Sequence, residues 1–127
     1  MLSRVAERVY WAGRYHADLN TRDTLVTDLN VLATFDPVLP EDFTTAEYLM
    51  LGNLTPAVQA RVLDQMKTRP KLIAMDTMNY WMDSALGELL DVIARVDLLT
   101  INDEEARQLT GEYSLVRAAT RILTMGP

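Results

Sequence analysis

An α/β architecture, with a parallel sheet joined by βαβ crossovers, is the fold class that this 127-residue chain predicts. Continuous apolar runs of strand length, Tyr48-Leu49-Met50-Leu51, Leu72-Ile73-Ala74-Met75 and Val96 to Ile101, alternate with longer segments of helical period. Unbroken apolar runs suit parallel strands covered on both faces, so a three-layer arrangement is expected. Strand, helix, strand, helix, strand in that order implies right-handed crossovers.

Residues 9–35 differ in kind from the rest of the chain. Val9-Tyr10-Trp11 and the run from Leu25 to Leu32 read as partly alternating strands, joined by the polar turn from Asp18 to Asp23. Phe35-Asp36-Pro37-Val38-Leu39-Pro40 connects them to the α/β body. After the first body strand, Thr55 caps a helix with Pro56 at its first position, which places Val58, Val62 and Met66 on one face. After the second, a helix following Asp83 or Ser84 carries Leu86, Leu89, Leu90 and Ile93 on one stripe. After the third, a short helix from about Asp103 to Thr110 is stopped by Gly111. A last helix starts at Ser114 and turns Leu115, Ala118, Ala119, Ile122 and Leu123 inward, ending at Gly126. In an alternating pattern another strand would come next, so truncation is expected at this end, and the same is expected at the front.

Hydrophobic residues make up 49% and charged residues 24%, an ordinary globular composition at the size of one modest domain. The net charge is −6 and the basic residues are scattered, which argues against nucleic acid as a partner and for a small molecule. With no cysteine, disulfides, zinc thiolates and a thiol nucleophile are excluded, and the one histidine, His16, cannot build a metal site alone. No run has the length of a signal peptide core or a membrane span, so a cytoplasmic protein without membrane contact is expected.

The most informative stretch runs from Val96 to Gly111, where a strand leads into Asn102-Asp103-Glu104-Glu105. In open parallel sheets, ligands bind beyond the carboxyl ends of the strands, and helix N-termini there attract anions. Asn102 and Glu105 therefore have two readings. They form a capping box, or they face phosphate or metal, and one box can do both. Asp76 and Asn79 come after the second strand on the same side of the sheet, where a turn bonding its own backbone is the competing reading. Asn53 comes after the first strand and has the same two readings.

These residues, together with Gly13-Arg14-Tyr15-His16, Asn20-Thr21-Arg22-Asp23-Thr24-Leu25, Asp28-Leu29-Asn30, Leu51-Gly52-Asn53-Leu54-Thr55-Pro56, Met75-Asp76-Thr77-Met78-Asn79-Tyr80-Trp81 and Leu109-Thr110-Gly111, resemble the middle of a PfkB-type (ribokinase-like) carbohydrate kinase. The resemblance covers about residues 9–127, well under half of a complete family member. It implies a Rossmann-like, ribokinase-like core, incomplete here, over residues 36–127. It also implies lid-type strands over residues 9–35. Arg14, Asn20, Arg22 and Asp23 would then lie near the substrate. Trp11, Tyr80 and Trp81 read as packing residues rather than sugar-stacking platforms.

The resemblance further implies that Asn102 and Glu105 help organise magnesium and the nucleotide phosphates, with Glu105 acting on the metal indirectly. Family members often carry Asp-Pro-Asn where this chain reads Asp76-Thr77-Met78-Asn79, one residue longer and without the proline. The family's catalytic aspartate lies in a Gly-Ala-Gly-Asp loop that does not occur in this sequence. The expectation is therefore a fragment of an ATP-dependent sugar or nucleoside kinase. Mg2+ and ATP belong to its complete parent, and neither is expected to bind this chain tightly. The alternative is a non-catalytic nucleotide- or metabolite-binding α/β module. Exposed sheet edges would favour self-association. Residues 1–8 resemble instead the opening of the bacterial alpha-E domain proteins, and are expected to be an atypical leader.

Overall fold

The structure, a computed structural model, describes residues 8–19 and 21–127. The expected leader, apart from Arg8, and the lid candidate Asn20 lie outside the described residues. The chain divides into two units, residues 1–36 and residues 37–127.

The first unit is an antiparallel hairpin of β1 (Tyr10–Tyr15) and β2 (Arg22–Asp28), in register from Tyr10 opposite Asp28 to Tyr15 opposite Arg22, with a bulge at Ala12/Gly13. Its turn closes when the His16 amide donates to the Thr21 carbonyl (2.9 Å), and the Asp18 carboxylate accepts from the Thr21 amide (3.0 Å). The Trp11 ring covers Gly13, where any Cβ would collide with it. The second strand was expected to continue to Leu32 but stops at Asp28. Asn30 takes a positive φ of 45° and its side chain donates to the Arg8 carbonyl (2.7 Å), and the chain then winds into a 3-10 turn over Asn30–Thr34. Positive φ is compatible with asparagine and incompatible with a continuing strand.

In the second unit, β3 (Tyr48–Leu51), β4 (Leu72–Asp76) and β5 (Leu98–Thr100) form a parallel sheet in the order β3-β4-β5. Helices α1 (Pro56–Gln65), α2 (Asn79–Ser84) and α3 (Leu86–Ile93) make the crossovers, and α4 (Asp103–Thr110) and α5 (Leu115–Ile122) come after β5. Thr55 caps α1 by accepting from the Val58 amide (3.4 Å), with Pro56 at the first position. Gly111 ends α4 at φ 72°, a conformation that costs glycine nothing. Among the described residues no helix is long and apolar enough to cross a membrane.

Two expectations are corrected in the helices. A separate short helix, α2, precedes the expected one, because the chain breaks helical geometry at Ala85 (φ −148°). On α3 the buried residues are Leu89, Val92 and Ile93, while Leu86 is exposed; on α5 they are Ala118 and Ile122, while Leu115, Ala119 and Leu123 are exposed. In both helices the buried stripe is narrower than the run of apolar residues.

The sheet departs from three layers. Leu51, Ile73 and Met75 point into the core, packed on the same side as Leu99, which sits opposite Met75 in register and joins the cluster of Ala106, Ala118 and Ile122. The alternate residues face the other way: Tyr48 is 67% and Met50 57% exposed, and Leu72 and Leu98 are also exposed. Strands taken strictly in the order β3-β4-β5 by right-handed crossovers carry both connections on one face, so helices cover that face alone. The second helical layer is lacking among the described residues.

Candidate functional site

The carboxyl ends of β3, β4 and β5 deliver Asn53, Asp76 and the segment Thr100–Asn102 to one end of the sheet. At the mouth of α4 the capping box is closed in both directions. The Asn102 side chain accepts from the Glu105 amide (2.9 Å), and the Glu105 carboxylate accepts from the Asn102 amide (3.2 Å). Glu105 is only 5% exposed, so its carboxylate is held by the helix start rather than by solvent. Asp103 and Glu104 share this first turn, and Asp103 pairs with Arg107 one turn on (2.9 Å). The capping reading of the box is thus realised, and it leaves the ligand-facing reading beside it.

Asp76 and Thr100 are opposite one another in register. The Thr100 hydroxyl donates to the Met75 carbonyl (3.0 Å) and lies 3.3 Å from the Asp76 carboxylate. The group facing the Asp76 carboxylate thus comes from the neighbouring strand, and its one hydroxyl proton is shared between the Met75 carbonyl and that carboxylate. Asn79 likewise reaches across the fold: its side-chain amide donates to Gln108 of α4 (2.6 Å), which in turn donates to Asp83 (2.8 Å). The local-backbone reading of Asn79 is replaced by a bridge between α2 and α4. Asn53 accepts the indole N–H of Trp81 (2.8 Å), a buried ring set edge-on to Tyr80. Packing is what the sequence assigned to Trp81, and the bond to Asn53 adds to it a fixed position for the loop after β3.

Mg2+ is ordinarily held through one or two carboxylates together with the substrate's phosphates. Among the described residues, no group of three or more acidic, histidine or cysteine side chains gathers to hold an ion directly, and the buried carboxylate at the start of α4, Glu105, is bonded to the Asn102 amide.

The lid candidates are engaged within their own hairpin. Asp23 pairs with His16 (2.9 Å), Arg22 lies over the Trp11 ring (5.2 Å), and Arg14 sits opposite Asp23 in register. All three candidates are on the exposed hairpin surface or only partly covered.

Several residues that hold this architecture together were missed in the sequence. Gln59 is 1% exposed on the inward face of α1, and its side-chain amide donates to the carbonyls of Gly52 (2.8 Å) and Asp76 (3.1 Å). A glutamine directly beside Val58 on an apolar face was the available clue. Asp97, at the opposite end of the sheet, accepts from the Ile73 amide (2.8 Å) and from both terminal nitrogens of Arg69. The Arg69 guanidinium, helped by the Ile73 amide, holds the Asp97 carboxyl below the usual carboxylate range. A cavity of about 340 Å3 opens at this opposite end, lined by Leu63, Met66, Arg69, Pro70, Ile73, Ala94 and Arg95. Its arginines are already neutralised, Arg69 by Asp97 and Arg95 by Asp64. The cavity is remote from the polar strand ends.

No protein-family model and no curated protein matches the chain.

Proposed function

We propose that the chain is part of a cytoplasmic ATP-dependent carbohydrate or nucleoside kinase with a ribokinase-like core, whose complete form transfers the γ-phosphoryl group of ATP to a substrate hydroxyl. One observation carries the reading: consecutive parallel strand ends bring Asn53, Asp76 with Thr100, and the Asn102–Glu105 box to the same end of the sheet, where open α/β sheets take ligands. Phosphoryl transfer depends on positioning and on charge stabilisation, and amide and carboxylate groups oriented from neighbouring elements supply the first. In this reading Mg2+, when bound with ATP, spreads the phosphate charge. Asn102 and Glu105 lie on its side of the site, and Arg14, Asn20, Arg22 and Asp23 belong to a substrate lid. No Gly-Ala-Gly-Asp loop is present, so the chain by itself is inactive.

The test is to join a C-terminal segment carrying that loop to this chain and to assay ATP-dependent phosphorylation of a sugar and nucleoside panel. Glu105→Ala is expected to lower kcat by tenfold or more, roughly the scale of losing one charge-positioning contact. Unchanged turnover would remove Glu105 from the metal side. The second reading is a non-catalytic nucleotide- or metabolite-binding module, which draws on the same strand ends but requires nothing of Asn102 and Glu105 beyond the closed capping box. Calorimetry with Mg-ATP on the isolated chain separates the two. The kinase reading expects no measurable heat of binding, whereas tight binding favours the module.

A further inference from the structure

We infer that Gln59 is a positioning residue whose side-chain amide sets the width of the crevice between the ends of β3 and β4, and with it the separation of Asn53 from Asp76.

Strand register locates the crevice. The last paired row of β3 and β4 is Leu51 with Met75, so Gly52 and Asp76 form the next row. There the strands part: β4 continues alongside β5 through Asp76, while the chain after Leu51 peels away toward α1. Gln59 spans this parting row. Its Nε2 donates to both carbonyls, Gly52 at 2.8 Å and Asp76 at 3.1 Å, and so substitutes a side-chain bridge for the missing rung. The orientation of the amide is fixed by chemistry, because turning it over would set Oε1 against two carbonyl oxygens.

Space filling does not account for this side chain. Among the described residues Gln59 Oε1 has no hydrogen-bond partner, and neither has the hydroxyl of Thr77, the residue directly after Asp76. A methionine would fill nearly the same volume without burying an unpaired oxygen. What glutamine supplies and methionine cannot is the pair of N–H donors to the two strand ends. The loop after β3 is then held at consecutive residues, Gly52 by Gln59 and Asn53 by Trp81. Loss of the first hold is transmitted to the second. That the crevice serves a kinase rests on the function proposed above; the clamp itself does not.

The experiment is hydrogen exchange by NMR on the 15N-labelled chain, read at the Gln59 side-chain amide and the Trp81 indole. In the unaltered chain the Gln59 amide protons are expected to exchange about a hundredfold or more slower than those of a free glutamine, since they open only with the surrounding structure. In Q59M the Trp81 indole is expected to shift and to exchange about tenfold faster through local opening, with the Trp11 indole unchanged and unfolding still cooperative. Q59E keeps the volume but sets a carboxylate against both carbonyls. It is expected to loosen Trp81 at neutral pH and to tighten it again on acidification, when the charge is lost and the acid form regains an O–H donor; a Trp81 indole that stays loose in acid would count against the clamp. Free-glutamine exchange at Gln59, or a Trp81 indole unmoved in Q59M, would overturn the clamp. Should Q59M not fold, the Gln59 protons of the unaltered chain still decide. None of these readouts needs a ligand, so an inactive kinase fusion would defeat the functional reading while leaving the clamp standing.

Discussion

At the scale of single residues, Asn102 caps α4, and substitution measures what that cap contributes. Its side chain satisfies an orphan amide of α4, so Asn102→Ala is expected to lower stability by about 1 kcal/mol, while Asn102→Asp, an equally good cap, stays within a few tenths. Denaturant titration of both variants measures this, and an Ala variant as stable as the parent would mean that the box does not hold the helix. Asp97 makes a prediction in pH. Its carboxyl is held below the usual range by Arg69 and the Ile73 amide, so the folded state binds that proton less readily than the unfolded state. The stability it contributes is therefore present above the ordinary carboxylate pKa and fades as pH falls through the lower folded value. Arg69, raised by the same partner, loses its contribution only in strong alkali. Asp97→Asn should therefore flatten the acid limb of the unfolding midpoint against pH, and an unchanged limb would assign acid sensitivity elsewhere. The box between Asn102 and Glu105 was readable in sequence because a spacing of three is a local helical relation. The bonds from Thr100 to Asp76, Trp81 to Asn53 and Asn79 to Gln108 were not, because they depend on strand register and on packing between residues far apart in the chain.

Elements are decided by a balance between local pattern and what is packed against them. The body strands were legible because apolar runs bounded by polar turns have few other uses, and α1 and α4 because Thr55-Pro56 and Gly111 are strong boundary signals. The separate helix α2 was not legible: residues 79–84 carry no cap signal, and what orders them is Trp81 and Met82 buried in the core. On α3 the stripe moved from Leu86 to Val92 because apolar residues are dense enough there to support more than one face, and the sheet selects one. The end of the chain adds a constraint that no periodicity could reveal. Gly126 lies so close to the end of α3 that a Cβ would collide with the Ile93 carbonyl oxygen and the Ala94 Cα. These are backbone atoms that cannot swing aside. Gly126→Ala is expected to cost about 1–3 kcal/mol, the range for overpacking, by lifting the segment after α5 away from α3. A thermal melt that is unchanged would show that the segment after α5 has room for a methyl group.

For the molecule as a whole, the governing tension is a parallel sheet with one covered face. Such sheets are ordinarily covered on both, because their outward residues are as apolar as their inward ones. Here Tyr48, Met50, Leu72 and Leu98 are outward and exposed, and β3 and β5 are both open edges, with β5 only three residues long. The hairpin is similarly exposed, with Tyr10, Trp11, Tyr15, Leu25 and Val26 all open to solvent and no buried apolar residue among the described residues of its unit. Exposed apolar patches and unpaired strand edges drive association between copies, and a net charge of −6 over 127 residues opposes it only over a screened distance. We therefore propose that the chain self-associates, and more strongly as salt is added. Sedimentation across a dilution series at low and high salt measures this. Replacing Met50 and Leu98 with lysine together should shift the distribution toward monomer. The unfolding transition should change by no more than about 0.5 kcal/mol, the usual limit for surface substitutions, since neither side chain packs in the core. An unaltered chain that remains monomeric at high concentration and high salt would show that the bare face is tolerated, and a double variant that associates as strongly would move the contact to the hairpin.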